Sequence, residues 1–122
     1  MPIYKTISSE GGTTIYIWKI EESLEELREG LTLTNHSVSR MNGMKSSLHQ
    51  KAFLSVRQLL KHAGYDDKEL YYNEYGKPFL KGDRHISITH SFQFAAVLLS
   101  DIEAGVDIEK NREKIINIQR WF

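Results

Sequence analysis

Phe94-Ala95-Ala96-Val97-Leu98-Leu99 is an unbroken apolar run. It is far too short for a membrane span, which needs about 18–20 apolar residues. A run of this length suits a buried strand. Just before it, His85-Ile86-Ser87-Ile88-Thr89 alternates strictly. That period puts Ile86 and Ile88 towards a core and His85, Ser87 and Thr89 on the other side, with His90-Ser91 following. The two segments together demand a sheet. Further strands are expected over residues 3–7 and 13–20, the second β-branched and aromatic, with a turn at Gly11-Gly12 between them. Residues 70–74 read as a strand, Tyr75-Gly76-Lys77-Pro78 as a turn, and Gly105-Val106-Asp107-Ile108-Glu109 as another short strand.

The sheet needs a helical cover. Over residues 45–63, Leu48, Ala52, Phe53, Val56, Leu59, Leu60 and Ala63 fall on one stripe at spacings of three and four, and Gly64 ends the pattern. Ser23 and Glu26 fit a capping box opening a short helix that ends near Gly30. Residues 31–44 are mixed and polar and carry little signal. Residues 112–122 read as a helix, with Ile115, Ile116, Ile118 and Trp121 or Phe122 as apolar contacts, and the chain stops within it. The expected class is α+β: a mostly antiparallel sheet packed against a long helix, as one domain over residues 1–122.

Composition removes several functions. Sixteen basic and 16 acidic residues balance, so no broad charge favours nucleic acid or a membrane surface. There is no cysteine, hence no disulfide or cysteine zinc site. Met1-Pro2-Ile3-Tyr4-Lys5 lacks the pattern of a secretory signal, so a cytoplasmic location is expected.

Three places could carry chemistry. Asp107 and Glu109 are two apart in a strand and share a face. Side-by-side carboxylates repel, and a divalent cation such as Mg²⁺ relieves this. That ion takes one or two carboxylates and fills its remaining positions with water and substrate phosphates. The plainer alternative is a solvated strand edge. Ser87, Thr89, His90 and Ser91 offer short hydrogen-bonding groups suited to phosphate oxygens, or simply a polar outer strand face. A Ser–His nucleophile lacks an orienting third group. Gly76-Lys77-Pro78 shapes a tight turn that presents one lysine, either to phosphate or to solvent. His36, His49 and His62 show no ligand spacing. His49, Lys51 and Arg57 read most simply as the solvated face of the helix, although Arg57 sits beside apolar positions and can reach inward.

In this order, Gly76-Lys77-Pro78, Ser87-Ile88-Thr89-His90-Ser91 and Gly105-Val106-Asp107-Ile108-Glu109-Lys110 resemble the first half of a 4′-phosphopantetheinyl transferase of the Sfp type. That family shows G-K-P, then S-x-S-H-S, then G-[IV]-D-[IV]-E. Thr89 stands where a serine is usual. The resemblance implies transfer of the 4′-phosphopantetheine arm of coenzyme A to a serine of an acyl or peptidyl carrier protein. It implies Mg²⁺ on Asp107 and Glu109, coenzyme A phosphates on Lys77 and His90, and the Thr89 hydroxyl near them. Arg40 and Lys45 match the family's basic residues loosely. The helix bearing Arg57 and a closing helix through Arg120-Trp121-Phe122 fit the same scheme. Family members run to about twice this length, and their second half brings a W-x-x-K-E helix whose glutamate and lysine complete the site. Those catalytic residues have no counterpart here. The expectation is therefore an N-terminal half, weakly active or inactive alone. It is completed by a missing C-terminal half or covered by self-association into a homo-oligomer. The alternative is a non-catalytic coenzyme A-binding or self-assembling module of the same fold.

Overall fold

The computed structural model describes residues 5–9, 12–91, 93–102, 104–109 and 115–120, with Ser9 and the last two segments described by backbone alone. The apolar run becomes β6 (Phe94–Ser100), and every residue in it is buried. It sits inside a four-stranded antiparallel sheet of order β1 (Lys5–Ser9), β2 (Thr13–Lys19), β6, β5 (His85–Ser91). A strand with neighbours on both edges and both faces covered can be apolar at every position. Its alternate residues split into two cores. Ala95, Val97 and Leu99 join Trp18, Ile20 and Ile86 on one face. Phe94, Ala96 and Leu98 join Ile15 and Ile17 on the other.

The first face is covered by α3 (Ser47–His62), which lies against β2 and β6. Ala52, Phe53, Val56, Leu59 and Leu60 of the expected stripe are buried there. Leu48, in the first turn, is 39% exposed. Polar residues of α3 are buried too, because smaller elements pack around its other sides. The α1 helix (Leu24–Arg28) opens with the expected Ser23–Glu26 capping box and docks on α3 through Leu27. Its last carbonyls, which have no partner within the helix, are met by α3 side chains. Gln58 Nε2 donates to the carbonyls of Leu27 at 2.7 Å and Glu29 at 3.0 Å, and Lys61 Nζ to that of Gly30 at 2.6 Å.

Residues 31–44, with little signal in the sequence, contain a full helix, α2 (Asn35–Asn42). Thr34 caps it, its hydroxyl accepting from the Ser37 N–H at 3.1 Å. A 3₁₀ turn (Asp67–Glu69) leads into the hairpin of β3 (Leu70–Tyr72) and β4 (Pro78–Leu80).

The end of the chain corrects the sequence reading. Residues 115–120 are a strand, β8 (Ile115–Arg120), paired antiparallel with β7 (Ala104–Glu109). Isoleucines at 115, 116 and 118 fit a short helical stripe and a strand equally. Their β-branching and the facing Val106 and Ile108 positions favour the strand. Trp121 and Phe122 lie outside the described residues. β7 packs against β5 and β6.

Candidate functional site

The β3–β4 turn is built by Asn73. Its Oδ1 accepts from the N–H groups of Tyr75 and Lys77, both at 2.9 Å. Its own N–H donates to the Lys77 carbonyl at 2.9 Å, and the Gly76 N–H donates back to the Asn73 carbonyl at 3.0 Å. Short amide side chains that bond to backbone two residues on mimic a turn. Asn73 therefore ends the strand earlier than the sequence suggests. Gly76 takes φ +83°, the left-handed region. No atom lies within 4 Å of where a β-carbon would stand, so the penalty for a side chain is conformational alone. Gly76→Ala is expected to lower stability by ~1–2 kcal/mol, read from urea unfolding. Unchanged stability would show that the turn does not depend on this conformation. The turn leaves Lys77 exposed, its Nζ 5.5 Å from the centre of the Phe79 ring.

Strand β5 continues through Ser91, and parity puts Ile86, Ile88 and His90 on one face. That face meets α3. The His90 ring lies edge-on to His49, from the first turn of α3, with centroids 5.8 Å apart. Thr89 is on the opposite face of β5. His49 was expected on the solvated face of its helix. It is exposed, as that reading has it, and it also joins His90, Gly76 and Pro78 around a half-open cleft of about 380 Å³. Met44, Phe53, Val56, Tyr72 and Ile88 supply its apolar surface, and Arg40 of α2 its fixed positive charge. The Arg40 guanidinium sits over the Tyr72 ring, its carbon 3.8 Å from the ring centre, a cation–π contact that orients it. Lys45 is exposed and does not line the cleft.

His90 is exposed at the strand end, and the partial desolvation of its ring by the cleft, with the charge of nearby His49, holds it below the usual histidine range. Behind the cleft, Arg57 is buried. Its Nε donates to Asp67 Oδ1 at 3.1 Å, its guanidinium stacks on Phe53 at 3.6 Å, and Nη2 reaches the Tyr72 hydroxyl at 3.4 Å. Asp67 Oδ2 accepts from the Thr34 N–H at 2.9 Å. Burial alone would raise the Asp67 carboxyl. Hydrogen bonds from Ser37 and Thr34, with the Arg57 charge, outweigh it and hold the group below its ordinary value. Arg57 thus fastens α3 to the cap of α2, and with it the helix that carries Arg40.

Asp107 and Glu109 fall on β7, where Asp107 pairs in register with Asn117 and Glu109 with Ile115. Alternate positions place both on one strand face. Two hard oxygen donors are a donor set that fits Mg²⁺. The structure thus gathers Gly76, Pro78 and His90, leaves the exposed Lys77 between them off the cleft lining, and adds Arg40, His49 and Tyr72. Arg40 and His49 were weak signals, one in a polar stretch and one on a helix face assigned to solvent.

No family model matches the chain. Over 50 residues, 41% of its length, the chain is 42% identical to the 4′-phosphopantetheinyl transferase gsp of Aneurinibacillus migulanus. The matched stretch spans about a fifth of that relative, 21%. The identity supports a relation to phosphopantetheinyl transferases over that stretch.

Proposed function

We propose that the cleft binds coenzyme A, as part of a site that transfers its 4′-phosphopantetheine arm to a carrier-protein serine. The observation that carries this is the convergence of Gly76, Pro78, His90 and Arg40 on one apolar-walled cleft. Coenzyme A needs that combination: cations for its phosphates and apolar surface for its base and thiol arm. The partial identity to a named transferase supports the same reading.

In this reading Lys77 and His90 bind phosphate oxygens, Lys77 as a mobile point charge and His90 as a directional donor. Arg40 adds charge from the facing wall. Thr89, turned away from the cleft, is left out of these contacts. Asp107 and Glu109 hold Mg²⁺. Such an ion offsets negative charge on the pyrophosphate as it is displaced. In the transfer, a carrier serine oxygen bonds to phosphorus, the pyrophosphate P–O bond breaks, and adenosine 3′,5′-bisphosphate leaves. The serine proton goes to a base that we do not place among the residues named here.

Calorimetric titration with coenzyme A tests the binding step. Saturable heat is expected, with Lys77→Ala weakening affinity about tenfold, the loss of ~1.4 kcal/mol. No heat with or without Mg²⁺ would sink the reading. Incubation with a carrier protein, followed by intact-mass measurement, separates a transferase from a module that only binds.

A further inference from the structure

We propose that His49 and His90 act together as an anion clamp, taking up protons as they close on phosphate. The proposal deepens the coenzyme A reading and rests on it only for the identity of the natural ligand. Its basis is the meeting of two imidazoles from separate elements. His49 comes from the first turn of α3 and His90 from the end of β5, and their rings stand 5.8 Å apart on the wall of one cleft. Both residues are exposed, so an anion from solvent can reach the two rings. Among the described residues, neither ring forms a salt bridge or a side-chain hydrogen bond.

The surroundings favour an anion. From α2, Arg40 lines the cleft, oriented by Tyr72 of β3. From α3, Arg57 reaches it, but its charge is engaged by Asp67 of the 3₁₀ turn. The β3–β4 turn carries Lys77, exposed and outside the cleft lining, with Glu74 exposed nearby. β7, packed against β5, carries Asp107 and Glu109, whose side chains lie outside the described residues.

A neutral imidazole donates one N–H, whereas an imidazolium donates two and carries a charge. Two imidazolium charges this close repel each other and Arg40, so the empty clamp resists double protonation. An anion between them reverses the balance. Binding is therefore linked to proton uptake, and affinity rises as pH falls through the histidine range. The lowered titration of His90 acts in the same direction, since it leaves more of that ring uncharged and ready to gain a proton at pH 7. A phosphate oxyanion is the matching ligand: compact, multiply charged and rich in acceptors.

The test uses the whole chain with labelled histidines. Imidazole signals are followed by NMR across the histidine range, with and without inorganic phosphate, in wild type and His49→Asn. Phosphate is expected to raise the His90 midpoint by about one unit, and the shift should fall by half or more in His49→Asn. Without phosphate, His49→Asn should itself raise the His90 midpoint. His49 is exposed, and an unchanged amide spectrum verifies that the variant folds. A His90 midpoint indifferent to phosphate overturns the clamp. An equal shift in wild type and variant makes His90 a lone site and removes His49. Coenzyme A titrations in two buffers of different ionisation heat give the second arm. Binding without proton uptake overturns the clamp and leaves the coenzyme A reading standing. A phosphate response without coenzyme A binding keeps the clamp and removes that reading.

Discussion

Arg57→Ala is expected to lower unfolding stability by about 3–5 kcal/mol, the usual result of removing one partner from a buried ion pair. Both side chains of the Arg57–Asp67 pair are only 4% exposed. The variant strands the Asp67 carboxylate and also removes the guanidinium stacked on Phe53. Thermal and urea unfolding measure the loss, and a change below about 1 kcal/mol would show that water or rearrangement satisfies Asp67. A pH series isolates the same pair. Asp67 titrates below its ordinary value in the fold, against about 3.9 unfolded. Its contribution is thus complete above that unfolded value and is lost as pH falls through the lower folded one. In Asp67→Asn this part of the acid slope should vanish, while stability near neutral pH drops. Because Asp67 also accepts from Thr34 at the head of α2, either variant should loosen Arg40 and weaken coenzyme A binding.

That linkage shows which parts of the molecule could be read from sequence and which could not. The run at residues 94–99 and the alternation at 85–89 are local patterns set by burial, and they became β6 and β5. The possibility that Arg57 reaches inward was visible from its apolar neighbours. Its partner was not, because pairing to Asp67 depends on how α3 meets the 3₁₀ turn. The same limit hid the cleft. Gly76-Lys77-Pro78 and His90 could be picked out as motifs, but Arg40 sits on a helix with weak amphipathic signal, made definite by its Thr34 cap and buried Ser37 and Met41. His49 is exposed, as its helix face implied, but helical period says nothing of the strand end that brings His90 beside it. The misread helix over 112–122 has the opposite cause. There a local pattern was ambiguous, and pairing with β7 decided it.

The second large effect concerns that hairpin. Asp107→Asn is expected to abolish the Mg²⁺-dependent part of coenzyme A binding, a loss of roughly 10–100-fold in affinity, or ~1.4–2.7 kcal/mol. On β7, Asp107 and Glu109 are two residues apart, so their α-carbons stand about 6.8 Å from each other on one face. Two carboxylates at that spacing supply too few ligands for a tight octahedral site, and Mg²⁺ keeps several waters in such a setting. Phosphate oxygens can replace some of those waters. The ion and coenzyme A should then strengthen each other, and by reciprocity the factor must be the same in both directions. Calorimetry of coenzyme A at zero and saturating Mg²⁺ measures that factor. In Asp107→Asn and Glu109→Gln it should fall to near one, while the Mg²⁺-free affinity stays constant or rises as a like charge is removed. The double variant should lose no more than either single one, because the two oxygens act as one site. Persistence of the full Mg²⁺ enhancement in the double variant would remove these carboxylates from the site. Lys77, His90 and Arg40 would then remain as a binding surface for phosphate without a resident metal.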